Sequence, residues 1–205
     1  MIEVRGLKIH YGDMVAVNDL TFSVKTGSIF GLVGPNGAGK TSAIKAVATL
    51  LEPTLGEILV NEISVLHQPE RARKIFGYMP DFPPVYEDLK IWEFCDYFAH
   101  AYGLRGEEKR SRVLQCLHAT SLNEHNHQFC KTLSRGMKQR ALLAKTLVHD
   151  PSVLLLDEPA ANLDPKSRIE LRNILKKLAD SGKTILISSH VLSDCLLYTS
   201  DAADE

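Results

Sequence analysis

"SIFGLVGPNGAGKT", Ser28 to Thr41, decides how the rest of the chain is read. Its first half, "SIFGLVG", is an apolar run of strand length without polar alternation, the pattern of a strand buried in a parallel sheet. Its second half, Gly34 to Thr41, fits G-x-x-x-x-G-K-[ST] between that strand and a helix, the context in which the motif cradles phosphate. Glycines let the loop Gly34, Pro35, Asn36, Gly37, Ala38 and Gly39 turn tightly, so that backbone N–H groups and the next helix's N-terminus face an anion. Lys40 then reaches the β and γ phosphates and the Thr41 hydroxyl binds magnesium. Nucleoside triphosphate binding is the first expectation.

Two further runs, "SVLLLDE" (152–158) and "TILISSH" (184–190), share the form of an apolar strand ending in polar residues. In open α/β sheets ligands bind beyond the carboxyl ends of the strands, so the three loaded ends predict one site. Asp157 suits the magnesium shell, and Glu158 suits the attacking water. A free glutamate titrates near ~4.3, so Glu158 needs a raised pKa or acts mainly by positioning the water; both roles stay open at this stage.

Between these strands, "LDPKSRIELRNILKKLADSG" places Leu171, Ile174, Leu175 and Leu178 on one helical face. Asp164 is the expected N-cap, Pro165 the first helical residue, and Gly182 lies past the end. Residues 1–27 and 56–66 alternate more, as half-buried antiparallel strands do. The stretch from about 81 to 150 is helix-rich and aromatic, and is expected to be a helical subdomain inserted into the core. The fold class is therefore α/β, with a parallel sheet, an N-terminal antiparallel β subdomain and that insertion.

The composition allows one sizeable core: 205 residues, 44% of them hydrophobic. Charge is nearly balanced, 24 basic against 25 acidic residues, which argues against a nucleic-acid partner. No apolar run has the length of a membrane span, and the N-terminus carries no signal pattern, so the chain reads as cytosolic. Cys116, His118, His125, His127 and Cys130 fall close together, but without a usual zinc spacing they read as solvated surface residues.

A phosphate loop alone spans many families; "TLSRGMKQRALLAKTLV" narrows them. Leu133 to Gln139 resembles the LSGGQ signature of ATP-binding cassette (ABC) proteins, the nucleotide-binding subunits of ABC transporters. The order of the other motifs agrees. Tyr11 resembles the aromatic A-loop residue, "GYMPD" the Q-loop, "ANLD" the D-loop and His190 the switch histidine, so the resemblance covers residues 1 to about 194. The signature also reads physically as a helix start, with Ser134 as N-cap and Gly136 permitting close backbone approach.

The resemblance implies an ATP hydrolase that sandwiches two MgATP in a head-to-tail dimer and powers a separate membrane permease from the cytoplasmic face of the membrane. By the same carry-over, Tyr11 stacks on adenine, Ser42 contacts phosphate, and Ser134 and Gly136 act on the partner's γ-phosphate. Asp164 communicates across the dimer and His190 contacts the γ-phosphate. Asp81 stands near magnesium where the family usually has glutamine, and Arg135 and Met137 replace a glycine and a glutamine. "SRGMKQR" with "GYMPD" looks like bacterial exporter-type subunits. A groove beside Asp81, with "DFPPVY" as its contact, is the expected seat of the permease's coupling helix. The rival is a non-transport ABC ATPase of DNA maintenance or ribosomes, whose usual long coiled-coil insertions or paired cassettes are not visible here.

Past "HVLSD" the resemblance stops. "CLLYTSDAADE", residues 195–205, matches one reading frame of a transposon-type sequencing adapter. Those residues are expected to be non-native and the true chain longer, with residue 194 natively aspartate or glutamate.

Overall fold

The computed structural model describes residues 1–81 and 84–192. Strands β1 (Ile2–Tyr11) and β2 (Met14–Val24) pair antiparallel through a turn at Gly12, where φ is 59°. β1 buries Ile2 and Val4, then Leu7 and Ile9. The change of parity is absorbed by a register shift around Gly6, where φ is 57°. After β3 (Ile29–Val33) and helix α1 (Lys40–Val47), strands β4 (Leu55–Val60) and β5 (Ile63–Ser64) complete the antiparallel sheet in the order β2-β1-β4-β5.

Next come α2 (Pro69–Arg73) and β6 (Phe76–Met79), neither distinguished from sequence. Helices α3 (Ile91–Ala101), α4 (Gly106–Ala119) and α5 (Arg135–Leu147) lead to β7 (Val153–Leu156), α6 (Pro165–Asp180) and β8 (Thr184–Ser189). The parallel sheet has the order β3-β8-β7-β6.

The parallel sheet separates two cores. Val153, Leu155 and Leu186 face α1 and the antiparallel sheet, while Leu154, Leu156, Ile185 and Ile187 pack with α3 to α6. Burial of each such aliphatic side chain contributes about 1.5–3 kcal/mol. α1, carrying Ala43, Ile44, Ala46 and Val47, is held between the two sheets, so the phosphate loop leads into a fixed element.

One strand differs from expectation. β7 and β8 are buried throughout, but β3 is only half-buried. Two helix starts follow the sequence. The Asp164 carboxylate accepts from Ser167 N at 3.0 Å, and Ser134 Oγ accepts from Met137 N at 3.3 Å. Leu171, Ile174, Leu175 and Leu178 form the buried face of α6. The reading of Cys116 and Cys130 as solvated surface residues is corrected: both are buried, with Cys95, among the helices.

The parallel register aligns Val33 with Ser189, Ile187 with Leu156, and Leu156 with Met79. Four carboxyl ends therefore share one edge, and the fourth, from β6, delivers Asp81.

Candidate functional site

The site is built on that edge. β3 ends at Val33, the loop runs from Gly34 to Gly39, and α1 begins at Lys40. Gly37 and Gly39 have φ of 83° and 82°, a region that side chains with a Cβ rarely adopt. Gly39 is needed for a second reason: a Cβ there would lie 2.2 Å from the Ala16 carbonyl oxygen and 2.8 Å from Val17 Cγ2. The loop is thus pressed against β2.

Inside the loop the Lys40 ammonium donates to the carbonyls of Gly34 at 2.7 Å and Pro35 at 3.1 Å, and lies 3.4 Å from Glu158 Oε1. Thr41 Oγ1 donates to Asp157 Oδ1 at 3.1 Å, joining residues 116 positions apart. Asp157 is 1% exposed, so its carboxylate depends on such donors. Glu158 follows with φ of 47°, a strained conformation for a side-chain-bearing residue. Its second oxygen, Oε2, lies 2.8 Å from His190 Nδ1.

Ser188 was missed from sequence. Its hydroxyl donates to Asp157 Oδ1 at 2.6 Å and accepts from Glu158 N at 2.8 Å. A serine in the polar end of β8, beside Ser189, gives no periodic signal. Its only sequence clue is its place two residues before His190.

A cleft of about 360 Å³ is lined by Tyr11, Met14, Val15, Ala16, the loop residues 36–42, Asp81 and Glu158. Tyr11, at the end of β1, shares a hydrogen bond of 3.2 Å between its OH and Ser42 Oγ. Asp81 titrates above the usual carboxylate range, first because of its burial, then because the Asp157 and Glu158 carboxylates face it; Arg135 and His190 oppose the shift. Asp81 is thus electrostatically part of this site.

Ser134, Gly136 and Asp164 are not among the residues lining the cleft. They meet elsewhere, where the starts of α5 and α6 touch. Ser167 Oγ donates to Asp164 Oδ2 at 2.6 Å, and a Cβ on Gly136 would come within 2.3 Å of Ser167 Oγ and 2.7 Å of its Cβ. Within this chain, the missing Cβ of Gly136 serves helix contact. Gly136→Ala is expected to destabilise the fold by about 1–3 kcal/mol, read as a lower chemical-denaturation midpoint, because Ser167 cannot yield without releasing Asp164. An unchanged midpoint would show that the two helix starts slide apart freely.

A parallel sheet whose carboxyl edge carries a glycine loop, a lysine, a hydroxyl facing a buried aspartate and an adjacent glutamate defines a P-loop nucleotide-binding domain. The family model described as ABC transporter matches residues 17–161, and the chain belongs to that family.

Over 193 residues it is 38% identical to the Nod factor export ATP-binding protein I of Burkholderia orbicola, covering 94% of this chain and 64% of that one. It is 34% identical to the probable multidrug ABC transporter ATP-binding protein YbhF of Escherichia coli, covering 95% of this chain and 34% of the relative. The chain thus spans less than two thirds of these curated relatives. The solved dimeric structure of MJ0796, a bacterial ABC transporter cassette, superposes with a TM-score of 0.83 at 25% identity, covering 97% of this chain and 91% of the other.

Proposed function

We propose that this chain is the ATP-binding and ATP-hydrolysing cassette of an exporter, working head-to-tail with a second cassette, identical or not, and driving a separate permease from the cytoplasmic face of the membrane. The observation that carries this reading is the convergence of Lys40, Thr41, Asp157, Glu158 and His190 at one sheet edge. Lys40 exchanges its carbonyl partners for phosphate oxygens, which as anions are the stronger acceptors. Glu158 is the acceptor for a proton of the attacking water, with His190 beside it to hold the γ-phosphate.

Thr41 and Asp157 supply hard oxygen donors at a buried carboxylate, which fits magnesium. Bound there, with Asp81 near it, the ion would neutralise phosphate charge.

Several observations support the partners. No described helix is long and apolar enough to cross a membrane. The signature residues Ser134 and Gly136 do not line this chain's own cleft, which leaves them for a partner's nucleotide, and the solved MJ0796 cassette is dimeric. The resemblance to a Nod factor export ATP-binding protein favours outward movement. A groove of about 630 Å³ between Pro84, Val85 and the α5 residues Arg135, Lys138 and Leu142 suits the permease's coupling helix. Of "DFPPVY", Phe82 and Pro83 lie outside the described residues, as does the adapter-like tail. A nucleic-acid partner is not proposed, since charge is balanced.

The test is phosphate release from MgATP as a function of protein concentration. Specific activity that needs magnesium and rises with concentration is the expected result. Nucleotide binding without turnover, at any concentration and with the permease supplied, would replace this reading with that of a regulatory binding module.

A further inference from the structure

We propose that Ser188 is a positioning residue that fixes the Asp157 carboxylate and the Glu158 backbone together for hydrolysis, an inference that rests on the hydrolytic reading above. Ser188 is fully buried on β8, between the core residue Ile187 and Ser189, the last residue of the strand. A hydroxyl there is costly unless both its proton and a lone pair are used. Both are: the proton goes to Asp157 Oδ1 at 2.6 Å and the lone pair receives Glu158 N–H at 2.8 Å.

The two bonds fix each other. A hydroxyl has a single proton, and the Glu158 N–H, which can only donate, occupies the acceptor side; the Ser188 proton therefore points at Asp157. Asp157 Oδ1 also accepts from Thr41 Oγ1 at 3.1 Å, so one chain runs from the Glu158 amide through Ser188 and Asp157 to the phosphate loop. Bonds in such a chain polarise one another.

The Glu158 end matters most. Its φ of 47° is strained for any residue with a side chain, and its carboxylate must nevertheless stay between Lys40, 3.4 Å from Oε1, and His190, 2.8 Å from Oε2. Such conformations persist only when the surroundings over-determine them. Ala161 N donates to Glu158 O at 3.0 Å from one side, and the Ser188 hydroxyl holds the amide from the other. Removing the hydroxyl frees the peptide that aims the glutamate and leaves the Asp157 carboxylate with one donor fewer. Ser188 does not line the cleft; it acts through the two acids.

The experiment compares Ser188→Ala and Ser188→Thr with the parent. Parent turnover is measured first, and a parent that does not hydrolyse MgATP defeats the hydrolytic reading itself. With an active parent, Ser188→Ala is expected to lower kcat about ten- to a hundred-fold, as for loss of a hydrogen bond to a charged group. Affinity for a fluorescent ATP analogue without magnesium should change less than about two-fold, because Lys40 and the loop are untouched. The magnesium concentration needed for tight binding of a non-hydrolysable analogue should rise, a readout independent of turnover. Ser188→Thr, which keeps the hydroxyl, should restore most of both properties. If Ser188→Ala does not fold, the same comparison is made with Ser188→Cys, similar in size but a weak donor. A kcat and magnesium requirement equal to the parent's in Ser188→Ala or Ser188→Cys would overturn the proposal. So would equal loss in the threonine and alanine variants, which would mark a packing role.

Discussion

Glu158→Gln is expected to reduce ATP turnover by ~10²–10⁴-fold while ATP-dependent dimerisation is retained. The substitution keeps the shape of a side chain fixed between Lys40 and His190, but an amide cannot take a proton from water. It also removes a negative charge 3.4 Å from the Lys40 ammonium, so the lysine is freer to bind phosphate and nucleotide affinity should hold or rise. Phosphate release measured beside light scattering separates the two effects. Undiminished hydrolysis would remove Glu158 from its proposed role, and loss of dimerisation along with turnover would make it a structural support of the loop instead.

Gly39→Ala is expected to lower nucleotide affinity by about 10²-fold and to destabilise the fold. Two costs add. A residue with a Cβ at φ of 82° loses about 1–2 kcal/mol, and the new methyl would sit 2.2 Å from the Ala16 carbonyl. That carbonyl cannot retreat easily, because β2 is tied to β1 through the Ile9–Val17 pair, and Val17 packs beside α1. The loop must lift instead, and with it the amides at the start of α1. Gly37→Ala is the control: it has nearly the same φ, 83°, but nothing lies within 4 Å of the added carbon, so only the conformational cost applies. Titration with a fluorescent nucleotide and thermal unfolding of both variants checks this, and equal losses would show that the β2 contact is unimportant.

The sequence was informative where chemistry is local. The phosphate loop, the caps at Ser134 and Asp164 and the buried face of α6 depend on neighbours within a few residues, and each is found where its pattern placed it. β6 was illegible for a physical reason. Its four residues contain Gly77, a poor strand former, and the strand exists because β7 pairs with it. The glycine is required by tertiary approach, since a Cβ would lie 2.7 Å from Thr146 Cγ2 on α5. The burial of β3 was overestimated because an apolar run cannot report how completely its two faces will be covered.

By itself, then, the sequence determined the order of the motifs, the α/β class and which residue types stand at the strand ends, since these follow from spacing along the chain. The tertiary structure alone decided what those residues touch. It joined Thr41 to Asp157, tied both acids to Ser188, bonded Tyr11 to Ser42 and turned Gly136 toward Ser167. The first three depend on the register of parallel strands or the seating of α1 between two sheets, and the last on the meeting of two helix starts. Packing of remote segments sets these relations, and no local pattern encodes them.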